Sequence, residues 1–156
     1  MRKSVWKLVV LLLCILVVPL LAQSPSPLSN TGRNLTLHTP IDYVCFPVDG
    51  NGPAALVPYT CPGYGTVVQT TTTWAQLTAH VKKPIIGPQQ ISVVVENFTT
   101  GNNLVNTPCS ITQGQKSCAI TFSAGASAGD LLAVKLFNNL TGTADYNVEE
   151  ISWNLQ

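Results

Sequence analysis

Apolar and polar side chains alternate with a period of two along much of the chain, which is typical of half-buried β-strands. In residues 66–81, small or apolar side chains occupy every second position near the end of the segment, at Ala75, Leu77, Ala79 and Val81. Residues 91–98, 130–137 and 148–155 predict further strands. No window has the 3.6-residue period of an amphipathic helix, and Thr and Val are frequent where a helix favours Ala, Leu, Glu or Lys. The pattern predicts an all-β protein with a single antiparallel β-sandwich of jelly-roll type.

Proline and glycine divide the N-terminal half into short pieces. Residues 23–33 are rich in Pro and Ser and predict a disordered leader. Residues 34–156 are then expected to form the single β-sandwich domain. Within it, residues 56–60 predict a short edge strand, because Pro58 cannot donate the hydrogen bond that a central strand needs.

Residues 1–22 have the layout of a secretory signal peptide. Basic residues precede an unbroken apolar run over residues 8–18, and Ala22 supplies a small residue at which cleavage would occur. This predicts a secreted or cell-surface protein with no membrane attachment after cleavage. A retained N-terminal anchor is the alternative, but the apolar run is short for a bilayer and ends at Pro19.

Removal of the signal peptide changes the charge balance. It takes away three of the eight Lys and Arg residues and none of the seven acids, which leaves five basic and seven acidic residues and a net charge of −2. No basic patch remains that could follow a phosphate backbone. Nucleic acid is therefore not expected as a partner.

Four cysteines follow the signal peptide, and an even number in an exported chain predicts disulfides. In residues 109–118 (CSITQGQKSC), Gln113 and Gly114 lie midway between two short β-prone runs and predict a two-residue hairpin turn. In that hairpin Cys109 faces Cys118 across a non-hydrogen-bonded pair, where side chains approach most closely. We therefore predict a Cys109–Cys118 disulfide within a β-hairpin.

By elimination, Cys45 is expected to pair with Cys61 and to close the Pro- and Gly-rich segment between them. Each bridge would contribute about 3 kcal/mol through loop entropy. A zinc site is the alternative use of four cysteines, but neither His38 nor His80 lies near a Cys-x-x-Cys pair. We expect two disulfides, no metal and no cofactor.

The C-terminal half combines a Cys-hairpin-Cys, a small-residue turn, a Gly-Asp pair that opens an apolar strand, and a closing Ser-Trp-x-Leu strand. These elements occur in residues 91–139 (ISVVVENFTTGNNLVNTPCSITQGQKSCAITFSAGASAGDLLAVKLFNN) and 149–156 (EEISWNLQ). They resemble the C-terminal part of small bacterial and phage surface modules, which are similar to the jelly-roll heads of complement-type and tumour-necrosis-factor-type proteins. The resemblance covers about half of the mature chain and implies a non-enzymatic, often trimeric module that acts in structure or attachment. The region from Cys45 to Cys61 departs from it.

A hydrolase motif, Gly-x-Ser-x-Gly, occurs around Ser127. The motif works where a strand, a sharp turn and a helix present the serine above a parallel sheet, but residues 130–137 predict a strand. His38 and His80 both precede Ser127, whereas that fold places its histidine after the serine. We therefore predict a flexible small-residue turn over residues 123–129 and no catalytic residue. A small serine hydrolase is the least favoured functional hypothesis.

Other polar motifs have ordinary structural explanations. Glu149 and Glu150 are adjacent, so on a strand they would point to opposite faces and would not form a catalytic pair. Asp49 opens a sequence similar to a calcium loop, but the later acidic ligands are missing, and a turn is expected. Chance accounts for about two N-glycosylation sequons in a chain of this composition. Three sequons begin at Asn34, Asn97 and Asn139.

Aromatic residues supply the candidates for ligand contact. Trp153 shares the phase of Ile151 and is expected in the core, whereas Trp74 is out of phase with Leu77 and is expected to be exposed. Trp74 and Tyr64 would then be available to stack on a sugar ring. The favoured hypothesis is a secreted or surface-displayed, non-catalytic β-sandwich that works by interaction or assembly, with a trimer of itself, a surface glycan or a surface protein as the expected partner. A carbohydrate-binding module is the alternative.

Overall fold

The computed structural model describes residues 27–37, 43–49, 55–57, 65–138 and 145–156. The predicted signal peptide lies outside these residues. So do residues 23–26 of the predicted leader, residues 58–60 of the predicted edge strand, and His38, Cys61, Tyr64 and Asn139.

The described residues form β-strands and no helix. The strands are β1 (Leu28–Leu37), β2 (Tyr43–Pro47), β3 (Ala55–Val57), β4 (Thr66–Val67), β5 (Thr72–Val81), β6 (Ile91–Asn97), β7 (Asn102–Asn103), β8 (Cys109–Ile111), β9 (Ser117–Ala126), β10 (Leu131–Asn138) and β11 (Tyr146–Leu155). Four strands form one sheet in the order β1-β11-β5-β9. The other sheet has seven strands, with β3-β2-β10-β6-β7 in order, β4 paired to β10 and β8 paired to β6. The strands within each sheet pair antiparallel.

The two sheets bury one apolar core between their inner faces, which confirms the predicted β-sandwich. Trp153 lies in this core, as its phase with Ile151 predicted. Its ring centroid is 5.0 Å from that of Phe46, and its Nε1–H donates to the Val48 carbonyl at 3.1 Å. The largest fully buried side chains are Phe46, Leu37, Leu77, Ile91, Ile111, Leu132, Leu136, Ile151 and Leu155.

Residues 28–33 do not belong to a disordered leader, so that prediction is wrong for them. They form the first part of β1, which pairs with β11 along its whole length. Asn30 is buried, and its side-chain amide donates to the Pro47 carbonyl at 3.1 Å. Composition predicted disorder because it measures local preference, whereas a neighbouring strand supplies the backbone partners here. The domain therefore begins before residue 34.

The single strand predicted over residues 66–81 is two strands in different sheets. β4 pairs with β10, whereas β5 lies between β11 and β9. Between them, the Val68 N–H donates to the Asp130 carbonyl at 2.8 Å, and the Val68 carbonyl accepts from the Gly129 N–H at 2.8 Å. Thr and Val suit either sheet, so periodicity did not reveal the crossing. The predicted edge strand is confirmed for residues 56 and 57, which belong to β3 at the end of the seven-stranded sheet among the described strands, whereas residues 58–60 lie outside the described residues.

The predicted β-hairpin over residues 109–118 is wrong, although its disulfide is confirmed. β8 pairs with β6 and β9 pairs with β5, so Cys109 and Cys118 lie in different sheets. Their Cα atoms are 5.6 Å apart. The disulfide therefore joins the two sheets of the sandwich, while Cys45 is buried in β2 and its predicted bridge to Cys61 stays a prediction.

The turn between β8 and β9 explains why no hairpin forms. The Thr112 carbonyl accepts a hydrogen bond from the Gln115 N–H at 3.0 Å, and Gly114, the third residue of this turn, has a φ of 79°. Positive φ at the third position is the signature of a type II turn. Two-residue hairpins need type I′ or II′ turns, because type II does not match the twist of paired strands. The strands on either side therefore diverge, one into each sheet.

Candidate functional site

Trp74 is buried in the core with 2% of its surface exposed. The register of β5 against β9 shifts between Trp74 and Gln76. On the other side of β5, Ala75 and Gln76 both donate their N–H groups to the Gln156 carbonyl, at 2.6 and 2.9 Å. Ala75 and Gln76 therefore lie opposite a single residue, which makes a β-bulge. The extra residue shifts the alternation of side chains along β5, so Trp74 points to the same side of the sheet as Leu77. The prediction that Trp74 is an exposed ligand contact is therefore wrong.

The other described aromatic side chains are buried or half-buried. On the outer face of the seven-stranded sheet, Tyr43 meets Phe137 edge-on with 5.6 Å between ring centroids. The Nζ of Lys135 lies 4.6 Å from the Tyr43 centroid and also contacts the Glu96 carboxylate. The planes of these two rings stand at 75° to each other, so Tyr43 and Phe137 do not form a planar platform for sugars.

Ser127 occupies a turn that Asp130 closes. The Asp130 N–H donates to the Ser127 carbonyl at 3.0 Å, and the Asp130 carboxylate accepts from the Ser127 N–H at 2.9 Å. Gly129 provides the positive φ of 94° that this turn needs. Because β9 extends to Ala126, the predicted small-residue turn begins later than expected.

His80 lies at the opposite end of β5 from Ser127. Ala126, which precedes Ser127, pairs with Thr72, whereas His80 pairs with Ser117. The eight residue-to-residue steps from Thr72 to His80 span about 26 Å of extended strand. The structure therefore separates Ser127 from the one histidine that it describes.

Glu149 and Glu150 both belong to an exposed cluster of ion pairs. Glu149 contacts Lys82 and also lies 2.7 Å from the Nζ of Lys83, and Arg33 Nε lies 3.2 Å from Glu150 Oε2. Hydrogen bonds from Lys82 and then Lys83 lower the pKa of Glu149 to about 2. The bond to Glu149 also raises the pKa of Lys82. Neither glutamate is buried, and each carboxylate is paired with one or two cations.

The described sequons differ in whether a glycan can be attached. Asn97 is 5% exposed, its Nδ2 donates to Asp130 Oδ2 at 2.7 Å, and its Oδ1 accepts from the Thr99 N–H at 3.0 Å. The nitrogen that would carry a glycan is therefore occupied inside the fold. Asn34 is exposed in β1 with a φ of 50°. Asn139 lies outside the described residues.

Asp49, the start of the calcium-like sequence, donates its backbone N–H to the Thr66 hydroxyl at 3.1 Å. Within the part of the chain that the structure describes, no group of three or more His, Cys, Asp or Glu side chains is placed to hold a metal ion.

The surface that the sequence analysis missed is one edge of β9. Among the described strands, β9 pairs with β5 alone and ends the four-stranded sheet. The Val81 N–H donates to the Lys116 carbonyl at 2.8 Å, so Lys116 belongs to a hydrogen-bonded pair with β5. Hydrogen-bonded and non-hydrogen-bonded pairs alternate along antiparallel strands, so every second residue after Ser117 is in a non-hydrogen-bonded pair, as is Ser117 itself. It follows that Ser117, Ala119 and Thr121 point their N–H and C=O groups away from β5. We call residues 117–121 with these outward groups the β9 edge.

The β9 edge lacks the features that usually protect a sheet edge. Proteins blunt such edges with charges, prolines, bulges or very short strands. β9 (SCAITFSAGA) has ten residues with no charge and no proline, and its register shift lies beyond residues 117–121. By contrast, β1 at the other end of the sheet has Arg33 and the positive φ of Asn34. The outer strands of the seven-stranded sheet, β3, β4, β7 and β8, have two or three residues each.

A groove of about 540 Å³ runs beside the β9 edge, between residues 104–107 and residues 119–123. Leu104, Ile120 and Phe122 line it, and all three are half-buried against the core. Unpaired backbone groups next to partly exposed apolar side chains are what a strand-addition site offers an extended peptide. An uncharged ten-residue strand is visible in the sequence, but its position at the end of a sheet is not.

The chain matches no known protein-family model, and no curated protein is significantly similar to it. In the described part of the chain, no helix has the length and apolar character needed to cross a membrane. The resemblance to jelly-roll surface modules therefore stays a prediction.

Proposed function

We propose that the protein is an exported, non-catalytic β-sandwich that binds an extended segment of a protein chain along the β9 edge. The observation that carries this proposal is the regular, uncharged edge with its outward backbone groups and the apolar groove beside it. Long unprotected edges promote pairing with other chains, and proteins usually protect them. An unprotected edge is therefore expected where pairing with another chain is part of the function.

Strand addition supplies both affinity and selectivity. Ser117, Ala119 and Thr121 offer main-chain hydrogen bonds to any extended partner, and the half-buried Ile120 and Phe122 favour apolar side chains at alternate positions. The bound segment is therefore expected to be short, extended and apolar at every second residue.

Two observations support a non-catalytic protein. Ser127 accepts and donates backbone hydrogen bonds within a turn and lies about 26 Å along the sheet from His80. Glu149 and Glu150 are held in ion pairs. Sugar stacking on Trp74 is not part of the proposal, because that indole is buried.

Export and a jelly-roll arrangement of the strands are further parts of the proposal. The basic and apolar layout of residues 1–22 supports export, and the Cys109–Cys118 disulfide is compatible with an oxidising destination. Support for the jelly roll comes from the chain's repeated passage between the two sheets, on both sides of β5, β9 and β10. Mass spectrometry of the exported protein tests cleavage after Ala22 and counts the free thiols.

Amide hydrogen exchange of the mature, oxidised protein tests the binding surface. The probe is a synthetic peptide with the sequence of residues 117–123 in which serine replaces Cys118. The matched control peptide has proline in place of Ile120, which removes a strand-forming residue. The protein is kept at the lowest concentration at which exchange can be followed.

The first peptide is expected to slow the exchange of the Ala119 and Thr121 amides at least tenfold, a change of about 1.4 kcal/mol. The control peptide and the amides of β1 should show no such change. If both peptides act alike, or if neither protects these amides at saturating concentration, the proposal is wrong.

A further inference from the structure

We infer that the strand which covers the β9 edge is the β9 edge of a second copy of this chain, paired antiparallel about a two-fold axis at Ala119. This inference rests on the proposed function and names its partner. Antiparallel pairing about a two-fold axis brings the same surface of both copies together, so the edge must match itself.

The register follows from the outward backbone groups. With the axis at Ala119, this residue faces its own counterpart, and Ser117 of each copy faces Thr121 of the other. The three residues with outward N–H and C=O groups then form three hydrogen-bonded pairs, which exchange about six backbone hydrogen bonds. The pairing uses residues 117–121, the part of β9 that is free of the register shift.

The side chains between these pairs also match. Cys118 of each copy faces Ile120 of the other in a non-hydrogen-bonded pair, where side chains approach most closely. Both side chains are half-buried within one chain. Pairing therefore covers apolar surface that a single copy leaves partly exposed.

The absence of charge favours a second copy over a foreign strand. In a two-fold pair, a charge near the axis meets the same charge of the other copy and is repelled. β9 has no charged residue in ten positions, so it meets no such repulsion. The same lack of charge gives the edge no electrostatic means of selecting a foreign partner.

The assembly also closes on itself. Each copy has one β9 edge, and pairing joins two four-stranded sheets into a single eight-stranded sheet with β1 at both ends. Those ends carry Arg33 and the irregular Asn34 backbone, which discourage further addition. The expected state is a dimer, in contrast to the trimer that the family resemblance implies.

Sedimentation velocity of the mature, oxidised protein over a concentration series tests the inference. The wild-type chain is expected to approach twice the monomer mass. Ala119→Lys places two like charges face to face and should raise the dimer Kd at least about tenfold. Ser29→Lys, an equally exposed change on β1 at the other end of the sheet, is the matched control and should leave the Kd unchanged.

Charge complementation gives a second readout that a merely unstable variant would not show. Ala119→Glu alone should dissociate like Ala119→Lys, whereas an equal mixture of the two variants should recover a dimer, because opposite charges then face each other. If Ala119→Lys fails to fold, as judged by thermal unfolding, the double variants Ser117→Lys/Thr121→Lys and Ser117→Glu/Thr121→Glu are used in the same way, because positions 117 and 121 of the two copies face each other.

A wild-type monomer at all concentrations, equal effects of Ala119→Lys and Ser29→Lys, no recovery in the mixture, or a mass above that of a dimer would each overturn the inference. Failure of the proposed function is recognised separately, from the amide hydrogen exchange. A monomer whose Ala119 and Thr121 amides are protected by the peptide keeps the proposed function and rejects the second copy as partner. A dimer that leaves both amides unprotected rejects both.

Discussion

Replacing Cys109 and Cys118 by alanine removes the covalent link between the two sheets. The bridge closes a short loop, with a sequence separation of 9. A closed loop of about ten residues restricts the unfolded chain by roughly 2.7 kcal/mol. Cys109 is also fully buried, so loss of its sulfur removes packing worth about 1 kcal/mol. The free energy of unfolding should therefore fall by about 3.5 kcal/mol, and the Tm by roughly 10–20 °C.

Urea denaturation followed by tryptophan fluorescence is a suitable assay, because Trp74 and Trp153 are the two tryptophans after the predicted signal peptide and both are buried. The oxidised wild-type chain and the double variant are each measured with and without a reductant. Any bridge at Cys45 responds to the reductant in both proteins. The reductant should therefore destabilise the wild-type chain by about 2.7 kcal/mol more than it destabilises the variant.

The outcome decides whether the bridge has the energetic role that its position between the sheets implies. A loss below about 1 kcal/mol in the double variant would mean that the sheets hold together without help from the bridge, and would refute the loop-entropy estimate for this protein. An equal response of both proteins to the reductant would refute it independently.

Three further predictions concern the core, the ion-pair cluster and the turn between the sheets. Trp74→Ala should lower the free energy of unfolding by about 3–5 kcal/mol in urea denaturation, because it leaves a cavity in the core. Trp74→Phe should lower it by less, because the phenyl ring fills most of that space and the buried indole N–H, which has no partner, is removed as well. A loss within about 0.5 kcal/mol for Trp74→Ala would indicate an exposed ring. The Glu149 carboxyl should titrate by NMR at a pKa of about 2, below its usual 4.5, and Lys82→Gln should raise that pKa. Because the pKa is lowered in the folded state, the contribution of Glu149 to stability is present above pH 4.5 and is lost as the pH falls towards 2; acid unfolding that is unchanged in Glu149→Gln would contradict this. Gly114→Ala should lower thermal stability by about 1–2 kcal/mol, because its φ of 79° is unfavourable for a side chain although no atom lies in the way, and an unchanged Tm would argue against the type II turn.

Alternation of side chains was enough to predict strands and a sandwich. In residues 148–155, Ile151, Trp153 and Leu155 are buried as their phase requires. The Cys109–Cys118 pairing was also predictable, because two cysteines nine positions apart around a Gly turn are brought together by almost any reversal of the chain.

The same reasoning misplaced residues wherever the chain leaves regular pairing. Trp74 was assigned to the wrong face because period-two counting assumes that no bulge intervenes. The hairpin at Gly114 was wrong because Gln-Gly is compatible with several turns, and the choice among them is made by the strands that each arm joins.

The β-class of the protein, the core position of Trp153 and one disulfide could be inferred from the sequence, because each depends on residue type and on spacing along a single segment. The folded chain was needed to learn which strands share a sheet, that the disulfide joins the two sheets, and that β9 lies at an open edge. These properties depend on hydrogen bonds between residues far apart in the chain. An uncharged strand such as β9 can form such bonds equally well in the middle of a sheet or at its end, so its sequence does not show which position it takes.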